Sequence, residues 1–147
     1  MKLYLAGPMS GIPQFNYPAF AAAAEKLREQ GHTVLNPAEM DDPKTRELAL
    51  ASVDGSLDSG VWHGESWADF LARDVKIVAD SVEGVALLKG WEKSRGARLE
   101  AYVALTVQKP VYLVMEDGLW AAAPRQIMRE IAHHTIVRNT DKEKRYG

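Results

Sequence analysis

The stretch Ser94–Glu100, SRGARLE, places a hydroxyl, a glycine and a carboxylate where the chain passes from a short apolar run into a helical pattern. Ser94 can cap the helix or offer its hydroxyl to an anion, and Gly96 leaves room for a ligand beside the backbone. Helical side chains lean toward the N-terminus, so the carboxylate of Glu100 is carried back toward the start of the helix. The spacing alone favours a plainer alternative, a serine cap followed by a half-exposed glutamate.

A second carboxylate, Asp74, changes that balance. The helix predicted over Ser66–Ala79 has one apolar stripe, and Asp74 falls in the middle of it. A charged side chain in a core-facing stripe costs several kcal/mol unless it is paired, hydrogen-bonded or turned toward a cavity. An ion pair with an arginine such as Arg98 or Arg125 is one explanation. If Asp74 instead shares a crevice with Glu100, their environments can hold one carboxyl ionised as nucleophile and the other protonated as acid.

The alternation of strand and helix patterns predicts the fold that positions these groups. We expect an α/β domain with a doubly wound parallel sheet of about four to five strands, a flavodoxin-like or Rossmann-like three-layer sandwich. Ligands of such sheets bind beyond the carboxyl ends of the strands, where Ser94 lies. The strands are predicted at Lys2–Ala6, Thr33–Leu35, Val85–Leu88 and Val111–Met115, and further helices at Ala19–Gln30 (capped by Asn16), Gly96–Gln108 and Pro124–Ile136.

The periodicity weakens over residues 38–65. This segment is predicted as a long loop with one or two helical turns around Thr45–Ala51. With Trp62 and His63 near its end it is a candidate lid, although a surface loop with one buried tryptophan fits equally well. The domain is predicted to span residues 1–139, and the charged residues 140–147 are predicted to form a flexible tail.

Composition excludes several classes of function. A net charge of -2 over 147 residues lacks the basic footprint of a protein that binds a nucleic-acid polymer, whereas a single nucleotide remains possible. The absence of cysteine excludes disulfides, thiol nucleophiles and cysteine-ligated zinc. No segment approaches the roughly 20 apolar residues of a membrane span. We therefore expect a cytoplasmic protein that uses neither a metal ion nor a cofactor.

The ordered set of motifs resembles the nucleoside 2-deoxyribosyltransferase superfamily, in particular its small, often phage-associated members. The resemblance covers nearly the whole chain and depends on Tyr4-Leu5-Ala6-Gly7-Pro8, on Asp74, and on Ser94-x-Gly96-x-x-x-Glu100 followed by a strand. It implies that Glu100 attacks the anomeric carbon to form a glycosyl-enzyme intermediate, and that Asp74 assists departure of the base. It also implies that Tyr4 and Gly7 line the base and sugar pocket, and that the chain forms a homodimer or larger homo-oligomer.

The residue at position 94 divides that superfamily. Members that exchange bases between nucleosides usually have an aspartate there, whereas the 5′-monophosphate N-glycosidases have a serine that binds the phosphate. Ser94 therefore favours hydrolysis over base exchange, although the first loop, with Ser10 as a possible donor, contains no cation for a phosphate. Two alternatives remain: a module that binds a nucleotide without cleaving it, and a structural protein whose Asp74 pairs with an internal arginine.

Overall fold

The structure is a computed structural model that describes residues 1–56 and 66–146, with side chains described to residue 140. Trp62 and His63, the aromatic residues of the predicted lid, lie outside the described residues. No helix within the described ranges is long and apolar enough to cross a membrane.

The described residues form one five-stranded sheet with the strand order β2-β1-β3-β4-β5. Strands β1 to β4 run parallel, and β5 pairs antiparallel with β4. The bounds are β1 Lys2–Ala6, β2 Thr33–Leu35, β3 Gly84–Leu87, β4 Val111–Met115 and β5 Gly118–Ala121. The α/β sandwich is thus confirmed, while β5 departs from the purely parallel sheet that the sequence predicted.

A tight hairpin accounts for the missed strand. β4 turns into β5 through Glu116 and Asp117, and Gly118 opens β5 with a φ of 134° that favours glycine. An Asp-Gly pair between apolar runs is a strong hairpin signal. This signal indicates β5, although the sequence analysis placed the last strand at Val111–Met115.

Helices cover both faces of the sheet. The described residues contain α1 Tyr17–Glu29, α2 Pro37–Met40, α3 Pro43–Ala51, α4 Trp67–Asp80, α5 Arg95–Thr106 and α6 Pro124–Tyr146. Because strand side chains alternate, Leu3 and Leu5 of β1 join the core under α1, whereas Tyr4 and Ala6 join the core under α4 and α5. Tyr4 is thereby turned toward the helix that carries Glu100.

Helix ends differ from the prediction at two places. Asn16 stands at the cap position of α1, but its backbone is left-handed and its Nδ2 donates to the Pro8 carbonyl over 2.9 Å instead of capping the helix. α6 continues to Tyr146, well past Ile136 and through most of the predicted tail.

The segment predicted as a loop also contains α2 and α3, and α3 begins two residues before the predicted turn at Thr45.

The first loop, residues 7–16, is held by the chain that follows α3. Gly11 N–H donates to the Gly55 carbonyl and Gln14 N–H to the Ser52 carbonyl, both over 2.9 Å. Gln14, Phe15 and Asn16 all have left-handed φ values, of 57°, 50° and 61°. Each such residue costs roughly 1 kcal/mol, and these bonds hold the loop in that shape beside the site.

Candidate active site

A cavity of about 910 Å³ opens at the carboxyl ends of β1 and β3. The first loop, the N-terminal half of α4 and the first turns of α5 surround it, as the general rule for parallel sheets predicts. All seven residues that the sequence nominated line this cavity: Tyr4, Gly7, Ser10, Asp74, Ser94, Gly96 and Glu100. The structure therefore brings together residues from positions as distant as 4 and 100.

Glu100 is a buried carboxyl held by a buried tyrosine. Only 6% of Glu100 is exposed, and the Tyr4 hydroxyl donates to Glu100 Oε2 over 2.5 Å. Burial raises the pKa of Glu100 to about 8, and the negative charge of Asp74 adds to this effect while the Tyr4 hydrogen bond opposes it. Burial, and then the charge of Glu100, also raise the pKa of Tyr4 well above its usual value. Tyr4 therefore remains a hydrogen-bond donor, and the unliganded protein holds a proton on Glu100 at neutral pH.

Asp74 faces the same pair of groups but has a cationic partner. Its side chain is 14% exposed, and Arg73 Nε donates to Asp74 Oδ1 over 2.9 Å. Burial raises the pKa of Asp74, while the Arg73 hydrogen bond and charge oppose the rise; the Tyr4 hydroxyl and Glu100 also interact with Asp74. The alternative of an ion pair between Asp74 and an internal arginine is thus confirmed, but the partner is the neighbouring Arg73 and not Arg98 or Arg125.

Sequence reasoning missed several cavity residues, among them Asp41, Tyr17 and Arg73. Asp41, at the junction of α2 and α3, accepts from Arg73 Nη1 over 3.0 Å, and its side chain is only 6% exposed. The Tyr17 hydroxyl of α1 donates to the other oxygen of Asp41. No local sequence pattern marks these contacts. The Asp42-Pro43 pair directly after Asp41 indicates only the start of a helix, and α3 does begin there.

The two nominated glycines lie at the cavity for different reasons. A Cβ on Gly7 would be 2.8 Å from the Leu88 Cβ, so packing between the ends of two strands requires a glycine there. A Cβ on Gly96 would make only ordinary contacts, at 3.9 Å from Leu71 Cδ1 and 4.0 Å from Ser94 Oγ. The protein itself thus has room for a methyl group at position 96, on the cavity side.

Ser94 and Ser10 have different surroundings. Ser94 Oγ caps α5 by accepting from the Ala97 N–H over 3.2 Å, and its second lone pair and hydroxyl proton remain for a ligand. Ser10 is exposed at the rim, in the first loop.

The positively charged side chains that line the cavity come from the β3–α5 connection, the start of α5 and α6, rather than from the first loop. Arg95 stacks over the Trp67 ring with its guanidinium carbon 4.6 Å from the centroid. Among the described side chains, no carboxylate forms an ion pair with these cavity-lining cations: Lys89, Lys93, Arg95 and Arg138.

Arg98 adds a further positive charge near these cations but is not itself a lining residue of the cavity. It is buried, and its guanidinium donates to the Glu92 carbonyl over 3.0 Å and to Thr135 Oγ1 over 3.1 Å. Within the described part of the chain it has no carboxylate partner, and the charges of Arg138 and Arg95 repel it. A buried guanidinium without a counter-charge favours an anion nearby.

Fold and site together define an α/β protein with a cavity at the carboxyl edge of its sheet, lined by a buried glutamate and a partly buried aspartate. Residues 1–113 match the family model described as "Domain of unknown function (DUF4406)", and the chain belongs to that family. The matched range contains both carboxyls and Tyr4. No curated relative matches the chain. Within the described ranges, no group of three histidine, aspartate or glutamate side chains is arranged to hold a metal ion.

Proposed function

We propose that this protein cleaves the N-glycosidic bond of a nucleoside or nucleoside 5′-monophosphate through a covalent glycosyl intermediate on Glu100. The observation that carries the proposal is the buried Glu100 carboxyl in the cavity, fixed by Tyr4 at 2.5 Å and interacting with a second carboxyl, Asp74. Two carboxyl groups at one site are the usual apparatus for glycoside cleavage with retention.

The position of the proton on Glu100 or Asp74 determines the sequence of the chemical steps. Glu100 transfers its proton to Asp74, which lies within reach of the shared Tyr4 hydroxyl, and the Glu100 carboxylate then attacks C1′. The C1′–N bond breaks, its electron pair leaves with the base, and the base takes the proton from Asp74. Water then attacks C1′, the ester to Glu100 is released, and the water's proton returns to the carboxyl pair.

The cavity-lining cations, which pair with no carboxylate among the described side chains, support a 5′-phosphate on the substrate. A phosphate monoester has a charge of about -1.5 to -2 at pH 7, which Arg95 and Arg138 can match where they line the cavity. The Ser94 hydroxyl lies at the start of α5, where the helix also favours an anion. These groups, together with the serine at position 94, favour hydrolysis of a nucleotide over base exchange.

A non-catalytic nucleotide-binding module is the second candidate. It is favoured by one observation, the raised pKa of Glu100, which keeps this carboxyl neutral in the unliganded protein. A neutral acid binds a hydroxyl or a base edge without attacking C1′. Turnover separates the two candidates, since both predict affinity for a nucleotide.

The test is base release from a panel of ribo- and deoxyribonucleosides and their 5′-monophosphates, followed by chromatography. We compare the parent protein with Glu100→Gln and with Glu25→Gln, a matched change at an exposed glutamate of α1. Release by the parent and Glu25→Gln, absent in Glu100→Gln, is the expected result, with a glycosyl adduct on the Glu100 peptide by mass spectrometry. Nucleotide binding without base release from any substrate would replace this proposal with the binding module.

The assembly of the protein is a further proposal. Apolar side chains remain exposed on α5 and α6, including Tyr102 at 46% and Ile136 at 64%. We infer that these faces meet in a homo-oligomer, which light scattering of the purified protein would detect as a multiple of the 16.3 kDa chain mass.

A further inference from the structure

A bridge of polar side chains runs from α1 to the carboxyl pair. The Tyr17 hydroxyl donates to Asp41, and Asp41 accepts from Arg73 Nη1 at 3.0 Å. Arg73 in turn donates from Nε to Asp74 Oδ1 at 2.9 Å. Asp41 therefore reaches Asp74 through one guanidinium whose two edges are occupied by different carboxylates.

We propose that Asp41 is a positioning residue: it holds the Arg73 guanidinium against Asp74 and so fixes Asp74 as the charged partner of the catalytic pair. This inference rests on the proposed function for its catalytic consequence. The bridge itself is a property of the folded chain and can be tested without substrate.

Asp41 is well suited to act as the fixed end of this bridge. Its backbone lies between α2, which ends at Met40, and Asp42, which caps α3 by accepting from the Thr45 N–H over 2.9 Å. Tyr17 occupies its Oδ2 atom, so that Oδ1 is presented to Arg73.

Arg73 needs such an anchor. Its side chain is 29% exposed and has several rotatable bonds, so without a second contact it loses little by turning into solvent. The Phe70 ring, 5.3 Å from the guanidinium carbon, supports it from one side. Asp41 on the opposite end of the guanidinium keeps its Nε edge directed at Asp74.

The charges around Asp74 act in opposite directions. Arg73 of α4 favours the charged form, and Asp41 opposes it directly through its own negative charge. Tyr4 of β1 donates toward the pair and favours the charged form of Asp74, and Glu100 of α5 repels Asp74 only when Glu100 is itself charged. On the far side of the bridge, Tyr17 contacts Asp41, and the charge of Arg46 acts on Tyr17. These remaining groups stay in place when Asp41 is changed.

The two roles of Asp41 therefore predict opposite outcomes. If Asp41 acted only by its charge, Asp41→Asn would make Asp74 easier to ionise. If it acts by holding Arg73, the same change releases the guanidinium, and Asp74 becomes harder to ionise. The direction of the change in the Asp74 titration separates the two.

The experiment measures the titration of Asp74 by NMR of carboxyl carbons in the unliganded full-length chain. We expect the Asp74 midpoint to move to higher pH in Asp41→Asn and Asp41→Ala, and to stay in place in Glu25→Gln. With Arg73→Met as background, no guanidinium remains to be released, so Asp41→Asn should move the midpoint to lower pH. A shift of the Asp74 midpoint to higher pH in the parent background and to lower pH in the Arg73→Met background would show that Asp41 acts by positioning Arg73.

Kinetics supply the second measurement. We expect kcat for base release to fall about tenfold or more in Asp41→Asn with KM nearly unchanged, and Asp41→Glu to recover part of the loss. An Asp74 midpoint that stays or moves to lower pH in Asp41→Asn overturns the inference, even if activity falls. If the parent protein releases no base, the proposed function fails, while the sign of the titration change still decides the bridge. Asp41→Asn keeps the size of the side chain, so the test survives should Asp41→Ala fail to fold.

Discussion

Replacing Glu100 with glutamine should stabilise the unliganded protein at neutral pH. Glutamine has nearly the same shape, and its carbonyl oxygen can accept the Tyr4 hydrogen bond without a charge. In the parent chain, burial raises the pKa of Glu100 from 4.5 to about 8. The folded chain therefore holds a proton that the unfolded chain releases.

The magnitude follows from linkage. Between pH 4.5 and 8 only the unfolded chain ionises at this position, so the free energy of unfolding of the parent falls by about 1.4 kcal/mol for each pH unit. The stability associated with neutral Glu100 is fully present below pH 4.5 and is lost as the pH rises toward 8. By pH 7 the loss is roughly 3 kcal/mol, and Glu100→Gln, which has no such ionisation, should exceed the parent by about that amount.

Urea unfolding at several pH values between 5 and 8, followed by tryptophan fluorescence, measures this difference. Glu25→Gln serves as the control, because its exposed carboxyl should leave the pH dependence as it is in the parent. The curves of the parent and Glu100→Gln should converge near pH 5 and separate steadily above it. A difference that stays constant over this range, within the extrapolation error of about 10–15%, would refute a buried neutral carboxyl at position 100.

Three further changes test individual contacts. Gly96→Ala should leave the melting temperature unchanged or raise it, since alanine favours a helix by up to about 1 kcal/mol relative to glycine and its Cβ meets only ordinary contacts. The added methyl group should lower the affinity for a nucleotide, measured by calorimetry. Gly7→Ala should destabilise the protein by roughly 1–3 kcal/mol in urea unfolding, because its Cβ would be 2.8 Å from the Leu88 Cβ. Arg138→Ala should weaken binding of a nucleoside 5′-monophosphate but not of the nucleoside; equal losses for both would contradict a phosphate site at the cation cluster.

Local signals in the sequence predicted most of the sheet and marked Asp74, Ser94, Gly96 and Glu100 as candidate site residues. Tyr4 and Gly7 were candidates only through the family resemblance, and they also line the cavity. Apolar runs and helical periodicity marked the strands and helices, and parallel strands bring their carboxyl ends to one edge. Asp74 was detectable because it interrupts an apolar stripe. Glu100 was detectable because the direction of helical side chains relates it to Ser94.

The rest depends on contacts between distant parts of the chain. Asp41 and Tyr17 are 24 residues apart, and Asp41 and Arg73 are 32 apart, so no periodicity relates them. Asp41 also stands next to Asp42, whose capping role explains an acidic residue at that point. The sequence analysis found no cation in the first loop, whereas the structure places Arg138 of the last helix at the cavity.

The raised pKa of Glu100 is consistent with a nucleophile when the whole reaction is considered. Burying Glu100 as a neutral acid avoids placing two charged carboxylates in one cavity. Cleavage of the C1′–N bond creates positive charge at C1′, which stabilises the Glu100 carboxylate. It also creates a basic nitrogen on the leaving base, which accepts the proton. The burial that disfavours the ion before the reaction strengthens its attraction to the transition state, since charges interact more strongly where water is excluded. In the proposed chemistry, Glu100 gives its proton to Asp74 before it attacks C1′, and Arg73 at Asp74 fixes the path that this proton takes.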